Sequence, residues 1–526
     1  MDRRDLEAFV FATIYEYLPD NSKRVTNFDS DLSGRNEFSV YERSTLGSGR
    51  VMFLRGFASP EWLNLVGSLY RVDPEFFRRH LDFLQPQKHH EIPTRFALPQ
   101  QAGLKQQLSL LHQIPTQFDL PSLPSTSENI VRLQIVSIVS RSDGHRTSAR
   151  SSLSDLRSQA SEDVRLYLRQ ALRDGQIGRS IVRRYLMHDE KYSTIEQEIS
   201  LCVEQQNRGW TGKHAPCCIY NKTIDSMYLP IAIVWSDCGR NLMEVPGFSW
   251  CSKTASSARG HECLPTYQHK AKMALKTSNI DSDPNPKKRD TLFSDSFQSA
   301  AAYPRFFGGD VDPHVAHHDA FYTLIDIFRF SAFSENQCLN IMEYIIQKET
   351  NPPMDLMQES LANLQHAKSM LQAHLQRLES TTLFIERRGC TKWPKASQQE
   401  HIEIVDAAAR DLLNDFKHLI ARAKLLSNRC TDETNLVMNR AMLEEAQRAI
   451  SQGAVVARLT LLAFLFIPLS FTTSFFGMNL EELVGSSNST LGLWTWFAVS
   501  VPLFLLSLLL LYWNVIQRAV HRRLSR

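Results

Sequence analysis

The sequence has no C-x-x-C pair. Its nine cysteines, Cys202, Cys217, Cys218, Cys238, Cys251, Cys263, Cys338, Cys390 and Cys430, are odd in number and irregular in spacing. That pattern excludes a secreted disulfide framework and fits reduced thiols facing the cytosol. Charge of neither sign dominates: 59 Lys and Arg stand against 56 Asp and Glu, for a formal net charge of +3. This balance excludes a basic nucleic-acid scaffold and an acidic disordered chain. The start, Met1-Asp2-Arg3-Arg4-Asp5-Leu6-Glu7, has no apolar stretch and mixes acids with bases. It reads neither as a signal peptide nor as a mitochondrial presequence. A G-x-x-x-x-G-K-[ST] loop, a G-x-S-x-G elbow, an H-E-x-x-H pair and a G-x-G-x-x-G turn after a strand are all missing. The common ATP-driven and catalytic readings therefore have no support, and the chain is read as a non-enzyme without a cofactor.

The 526 residues leave room for several domain-sized units. Residues 1–350 read as an α/β domain with irregular inserts. Strands are expected over Arg50–Phe57, Ile130–Val139 and Tyr228–Trp235, with Pro230 marking an edge strand or a later start in the last. Ser59-Pro60-Glu61 and Asp73-Pro74-Glu75 each combine a capping side chain with Pro at the first helical position, so each opens a helix. Ser- and Arg-rich 142–162 and polar 251–298 are irregular inserts expected to be disordered. From Ala320 to Glu349 apolar residues recur at helical spacing. Residues 354–458 read as a long helical hairpin and stalk: Met354–Arg388, a break at Lys392-Trp393-Pro394-Lys395, then helix from Ala396, with a third segment from about Asp432.

The C-terminal tail is apolar. The chain is uncharged from Leu459 to Leu480 and again from Leu483 to Gln517, and Leu491–Trp513 is apolar all round. Each run exceeds the roughly 20 residues that span hydrocarbon at about 1.5 Å per residue. We therefore expect a first span at 459–480, a short acidic loop at 481–490, a second span at 491–513 and a basic tail at 514–526. Arg440, Arg448 and Arg458 precede the first span, and Arg518, Arg522, Arg523 and Arg526 come after the second. The loop between carries Glu481 and Glu482 and no base, so both termini are expected in the cytosol. The expected membrane is the plasma membrane, with the vacuolar and mitochondrial inner membranes as alternatives.

Gly477-Met478-Asn479, ending the first apolar run and followed by a short acidic loop and one more span, resembles the CorA family of magnesium channels. Arg458–Phe471 is similar to that family's first span. The resemblance covers roughly Met354–Trp513. It implies an α+β cytosolic domain, a long helical stalk and two C-terminal transmembrane helices, assembled as a funnel-shaped homopentamer in the bilayer. It further implies passive, potential-driven passage of a divalent cation, with magnesium both the transported ion and the regulatory ligand. The residues fit such a role. Val456, Leu459, Ala463, Ile467, Ser470 and Ser474 share one helix face, apolar at one end and hydroxyl-bearing near the motif. Magnesium sheds water reluctantly, so a selective mouth should hydrogen-bond the hydrated ion. Asn479 offers a carbonyl acceptor, Gly477 a backbone free to turn sharply, and Glu481 and Glu482 a field that gathers cations. A divalent ion gains about 4.6 kcal/mol per 100 mV of inward potential, so no nucleotide is needed.

Other groupings remain open in the sequence. His314, His317 and His318 lie in a run with Asp310 and Asp312 that could hold a metal or could cap the next helix. His214, Cys217, Cys218, Cys238, His261 and Cys263 match no common zinc spacing. Glu403, Asp406, Asp411 and Asp415 are candidates for a cytosolic regulatory site whose position the sequence does not select. Two alternative functions stand beside magnesium transport: a zinc transporter of the ZntB type, and a membrane-anchored sensor or scaffold that does not conduct.

Overall fold

The computed structural model describes residues 9–18, 20, 22–41, 49–81, 128–141, 153–204, 231–240, 242, 261–266, 298–477 and 493–524. The chain divides into two compact units, Met1–Thr434 and Asn435–Arg526.

The first unit is built on an eight-stranded sheet. In chain order its strands are β1 (Val10–Tyr17), β2 (Lys23–Asp29), β3 (Gly49–Arg55), β4 (Ile130–Arg141), β5 (Arg184–Met187), β6 (Tyr192–Glu204), β7 (Ile231–Ser236) and β8 (His261–Cys263). They lie in the order β2-β1-β3-β7-β6-β4-β8, with β5 also paired to β6. All pairings are antiparallel except β3 with β7. The helices between them are α1 (Leu32–Ser39), α2 (Pro60–Tyr70), α3 (Pro74–His80) and α4 (Leu153–Asp174).

The three expected strands form. Strand β7 is not an edge, because it pairs on both sides with β3 and β6; Pro230 itself lies outside the described residues. Ser59 and Asp73 cap α2 and α3 as their Asx- and Ser-Pro signatures require. The irregular reading of 142–162 is corrected: α4 begins at Leu153. Its serines and Arg165, Arg169 and Arg173 are exposed, Arg157 turns inward to donate to the Met187 carbonyl at 2.9 Å, and Leu153, Ala160, Val164 and Tyr167 bury against Tyr185, Met187 and Ile195 of β5 and β6. Residues 142–152 lie outside the described residues. So does most of 251–298, where the described part includes β8.

One face of the sheet packs on α2 and α3 through Phe11, Trp62, Phe76 and Trp235. The other receives α7 (Ala320–Glu349), reached through α5 (Ser299–Phe306) and α6 (Pro313–Ala316). Helix α7 is capped by Asp319 and buries nearly every residue of its first turns, Phe321 to Phe328, as a core helix must. It bonds directly to β4: Ser331 Oγ donates to the Gln134 carbonyl at 2.8 Å, and the Val136 amide donates to Ser334 Oγ at 3.3 Å.

After a 3₁₀ turn (Met354–Leu356) come α8 (Met357–Glu386) and α9 (Gln399–Gly477). Within the first unit α9 returns antiparallel to α8, since Lys417 pairs with Glu386 and Lys424 with Glu379. Its buried residues Ala409, Leu412, Phe416, Leu419, Ala423, Leu426 and Cys430 alternate steps of three and four, the seam of a coiled-coil-like contact. Arg422 ties the same helix to α7 through Asn336 at 2.7 Å and Glu343 at 2.6 Å. The expected domain boundary near residue 350 is therefore displaced to Thr434, because α7, α8 and the start of α9 complete the core of the sheet unit. The separate third segment expected from Asp432 is instead a continuation of α9, which runs unbroken through Gly453.

The second unit holds the rest of α9 and α10 (Leu493–Leu524). From Met438 to Phe464 no residue of α9 is buried within the chain.

Candidate functional site: the apolar C-terminal helix pair

Helix α9 is long and apolar enough to cross a membrane, and α10 is apolar from Trp496 to Leu509 among the described residues. The two pack on each other through a narrow face. Thr472 and Ser500 are each buried, and Ser500 Oγ donates to Thr472 Oγ1 at 3.0 Å. Around Thr472, the partly covered residues of α9 are Leu465, Pro468, Leu469 and Phe476. These recur at steps of three and four and so form one side of the helix. A hydroxyl pair between apolar helices satisfies two polar groups at once, and small hydroxyl residues let the backbones approach.

The six stripe residues Val456, Leu459, Ala463, Ile467, Ser470 and Ser474 are largely exposed within the chain. At about 100° per residue they centre on the side of α9 roughly opposite the Thr472 face. Ser470 Oγ donates to the Ile467 carbonyl at 3.1 Å, which satisfies its proton and leaves oxygen lone pairs on the stripe.

Gly477 is the last residue of α9. Its φ is not in the left-handed region, and a Cβ there would meet nothing within 4 Å. The turn expected there involves the residues after Gly477, which lie outside the described residues. Met478, Asn479, Glu481 and Glu482 lie outside the described residues.

The remaining candidates scatter. Glu403 accepts from Gln399 Nε2 at 3.0 Å, whereas Asp406 is paired with Arg388. Asp411 and Asp415 stand one turn apart on α9; partial burial raises the Asp415 carboxyl, Arg329 opposes this, and Asp411 adds to it. Nothing brings these four together. His214, Cys217 and Cys218 lie outside the described residues. Cys238 and Cys263 are both buried, and Cys238 Sγ donates to Gln197 Oε1 at 2.9 Å, with its thiol pushed up by burial and by Asp237. Among the described residues no three His, Cys, Asp or Glu side chains already converge as a metal centre. His314, His317 and His318 do meet, joined by His401 from α9, which the sequence reading missed because it is distant in the chain.

The sequence reading also missed a Ser-His-Asp constellation inside the sheet unit. His80 Nδ1 lies 2.8 Å from Ser200 Oγ, and its Nε2 lies 3.2 Å from Asp237 Oδ1. All three side chains are fully buried, His80 stacks on Trp235 at 4.0 Å, and Arg183 holds Asp237 from the other side at 2.6 Å. Burial would raise the Asp237 carboxyl, but Arg183 and His80 hold it below its ordinary value. Buried as it is, the group forms a packed polar network joining α3, β6 and the end of β7.

Residues 340–517, about a third of the chain, match the model of the CorA-like Mg2+ transporter protein family. No curated protein matches the chain. Among solved structures, the one titled "structure of the full-length CmaX protein" covers 98% of this chain and 99% of its own, at 10% sequence identity and a TM-score of 0.31. That likeness is too low to carry an argument.

Proposed function

We propose that the protein is a passive, potential-driven divalent-cation channel, with magnesium as its ion, working as a homo-oligomer of the pentameric kind that the family resemblance implies. The single observation that carries this reading is the orientation of α9. One side is occupied by α10 through Thr472 and Ser500, and the opposite side carries the stripe from Val456 to Ser474. That free side needs an occupant. Its hydroxyls near Gly477 suit a wet lumen better than lipid, and its apolar end at Val456, Leu459 and Ile467 suits a constriction that opens by wetting. The bare stretch of α9 from Met438 to Phe464 supports the same assembly. Met438, Met442, Leu443 and Ile450 are exposed among the described residues, and neighbouring copies would cover them.

In this reading α9 and α10 are two spans with both termini in the cytosol. Gly477, Met478 and Asn479 of each copy form the ring that holds the hydrated ion, and Glu481 and Glu482 raise the cation concentration at the outer mouth. Divalent ions on the cytosolic part close the pore by binding its narrow state better. The test is flux. Purified full-length protein in liposomes, held inside-negative, is exposed in parallel to magnesium, zinc, cobalt and nickel. Magnesium uptake that exceeds the others supports the proposal. Preferred zinc uptake moves the protein to the zinc branch, and no uptake of any ion makes it a non-conducting anchor.

A further inference from the structure

Four imidazoles from two elements distant in sequence gather at one place in the sheet unit. His314 is on α6, His317 and His318 come directly after it, and His401 is in the first turn of α9. Ring centroids stand 4.5 Å apart for His317 and His318, 5.1 Å for His314 and His401, 5.4 Å for His318 and His401, and 6.2 Å for His314 and His318. A tetrahedral ion bound at about 2.05 Å sets ligand nitrogens about 3.4 Å apart, and places the centroids of their rings about 5 Å apart. The observed rings scatter around that spacing, and His317 Nδ1 lies 3.4 Å from His318 Nδ1.

Aromatic packing alone does not account for the group. His401 is 5% exposed, and its Nδ1 is buried without a hydrogen-bond partner, as is His317 Nε2. A buried polar atom left without a partner is destabilising, so the arrangement calls for one. A cavity of about 30 Å³ lies against the cluster, lined among others by His317, His318, Asp319 and Arg50. Asp319 is occupied in capping α7 through the Tyr322 amide and in holding the Ala396 amide. Arg50 is paired with Glu16 at 2.9 Å. Neither leaves the cluster a net opposing charge.

We propose that His314, His317, His318 and His401 form a binding site for a zinc-class transition-metal ion that clamps α6 to the start of α9. Imidazole donors select such ions over magnesium, which takes oxygen ligands. Among the described residues no group of three His, Cys, Asp or Glu is set to hold a metal ion as it stands, so binding requires the rings to turn about their side-chain torsions, which the exposed His314 and His318 are placed to do. The site is independent of the transport reading.

Cobalt(II) titration of the purified full-length protein tests it, read by the visible bands of tetrahedral cobalt. The expected result is one tetrahedral cobalt per chain, displaced by zinc, with at least a tenfold loss of affinity in the His314→Gln/His318→Gln variant. Both substituted residues are exposed, so that variant should retain wild-type circular dichroism. Asn479→Ala, which addresses the transport reading, should leave the bands unchanged. Absence of tetrahedral bands in the wild type overturns the site. So does an unaltered titration in the double variant, or bands that vanish only in Asn479→Ala.

Discussion

Removing one imidazole from the interior of the sheet unit should show how that unit is held together. His374 on α8 is 1% exposed and lies between two carboxylates. Its Nδ1 is 2.7 Å from Glu335 Oε2 on α7, and its Nε2 is 3.6 Å from Glu196 Oε1 on β6. Burial disfavours the charged ring, but Glu335 and the other polar neighbours outweigh it and raise the His374 pKa well above 6.5. Burial likewise opposes charge on Glu196, yet His374, Arg377 and Arg184 hold it down to about 2. The folded state therefore keeps a buried imidazolium between two carboxylates. His374→Gln removes the cation and leaves both acids without it, a loss of about 3–5 kcal/mol. At roughly 1 °C per kcal/mol for a unit as large as Met1–Thr434, the melting temperature should fall by about 3–5 °C at pH 5.5.

The pH dependence has a definite sign. The His374 contribution is full below 6.5, where the unfolded ring is also protonated, and declines as pH rises toward its folded value. The Glu196 contribution is full above its ordinary 4.5 and is lost as pH falls toward about 2. Both are complete only between about pH 4.5 and 6.5. Thermal unfolding followed by circular dichroism from pH 4.5 to 9 should show the variant's deficit narrowing above pH 6.5. A deficit under about 2 °C at pH 5.5, or one that widens toward pH 9, would refute the imidazolium bridge.

In the helix pair, Thr472→Ala should cost about 0.6 kcal/mol, and at most about 1.7, because Ser500 loses its partner; denaturation in detergent with a Thr472→Ala/Ser500→Ala cycle measures the coupling. Leu459→Asn or Ile467→Asn should give a leak less sensitive to cytosolic magnesium, since polar side chains hold water in the apolar part of the stripe; patch recordings with normal closure at high magnesium would move the seal toward Asn479. Tags after Ser487 and after Arg526 should show opposite protease accessibility in intact cells, and equal accessibility would end the two-span topology.

Local rules carried much of the fold because they act within a few residues. Asp319 before an apolar period of 3.6 marks α7 over Ala320–Glu349, and Ser59-Pro60 and Asp73-Pro74 mark the starts of α2 and α3. Strand β6 was not legible. Its Ser193, Thr194, Glu196, Gln197 and Ser200 are buried, and their polarity is met by partners elsewhere in the chain, such as Ile181, His80 and His374. Helix α4 was hidden by its solvent face, and the join of the two α9 segments by a polar stretch that helical packing tolerates. The same distinction holds for the sites. The α9 stripe is a periodicity and can be read in one dimension. His401, Ser200 and Asp237 acquire their neighbours only through the tertiary fold, which no local signal encodes.

The measurement that bears most directly on the central claim is magnesium uptake by proteoliposomes of wild type and Asn479→Ala, each reconstituted at equal protein density under an inside-negative potential. Asn479→Ala deletes one acceptor per copy just beyond the end of α9 and leaves the apolar helices unchanged. The account predicts wild-type uptake that rises with the imposed potential, and a variant that assembles normally but has lost most of that uptake. Potential-driven uptake of equal size in both proteins would contradict it.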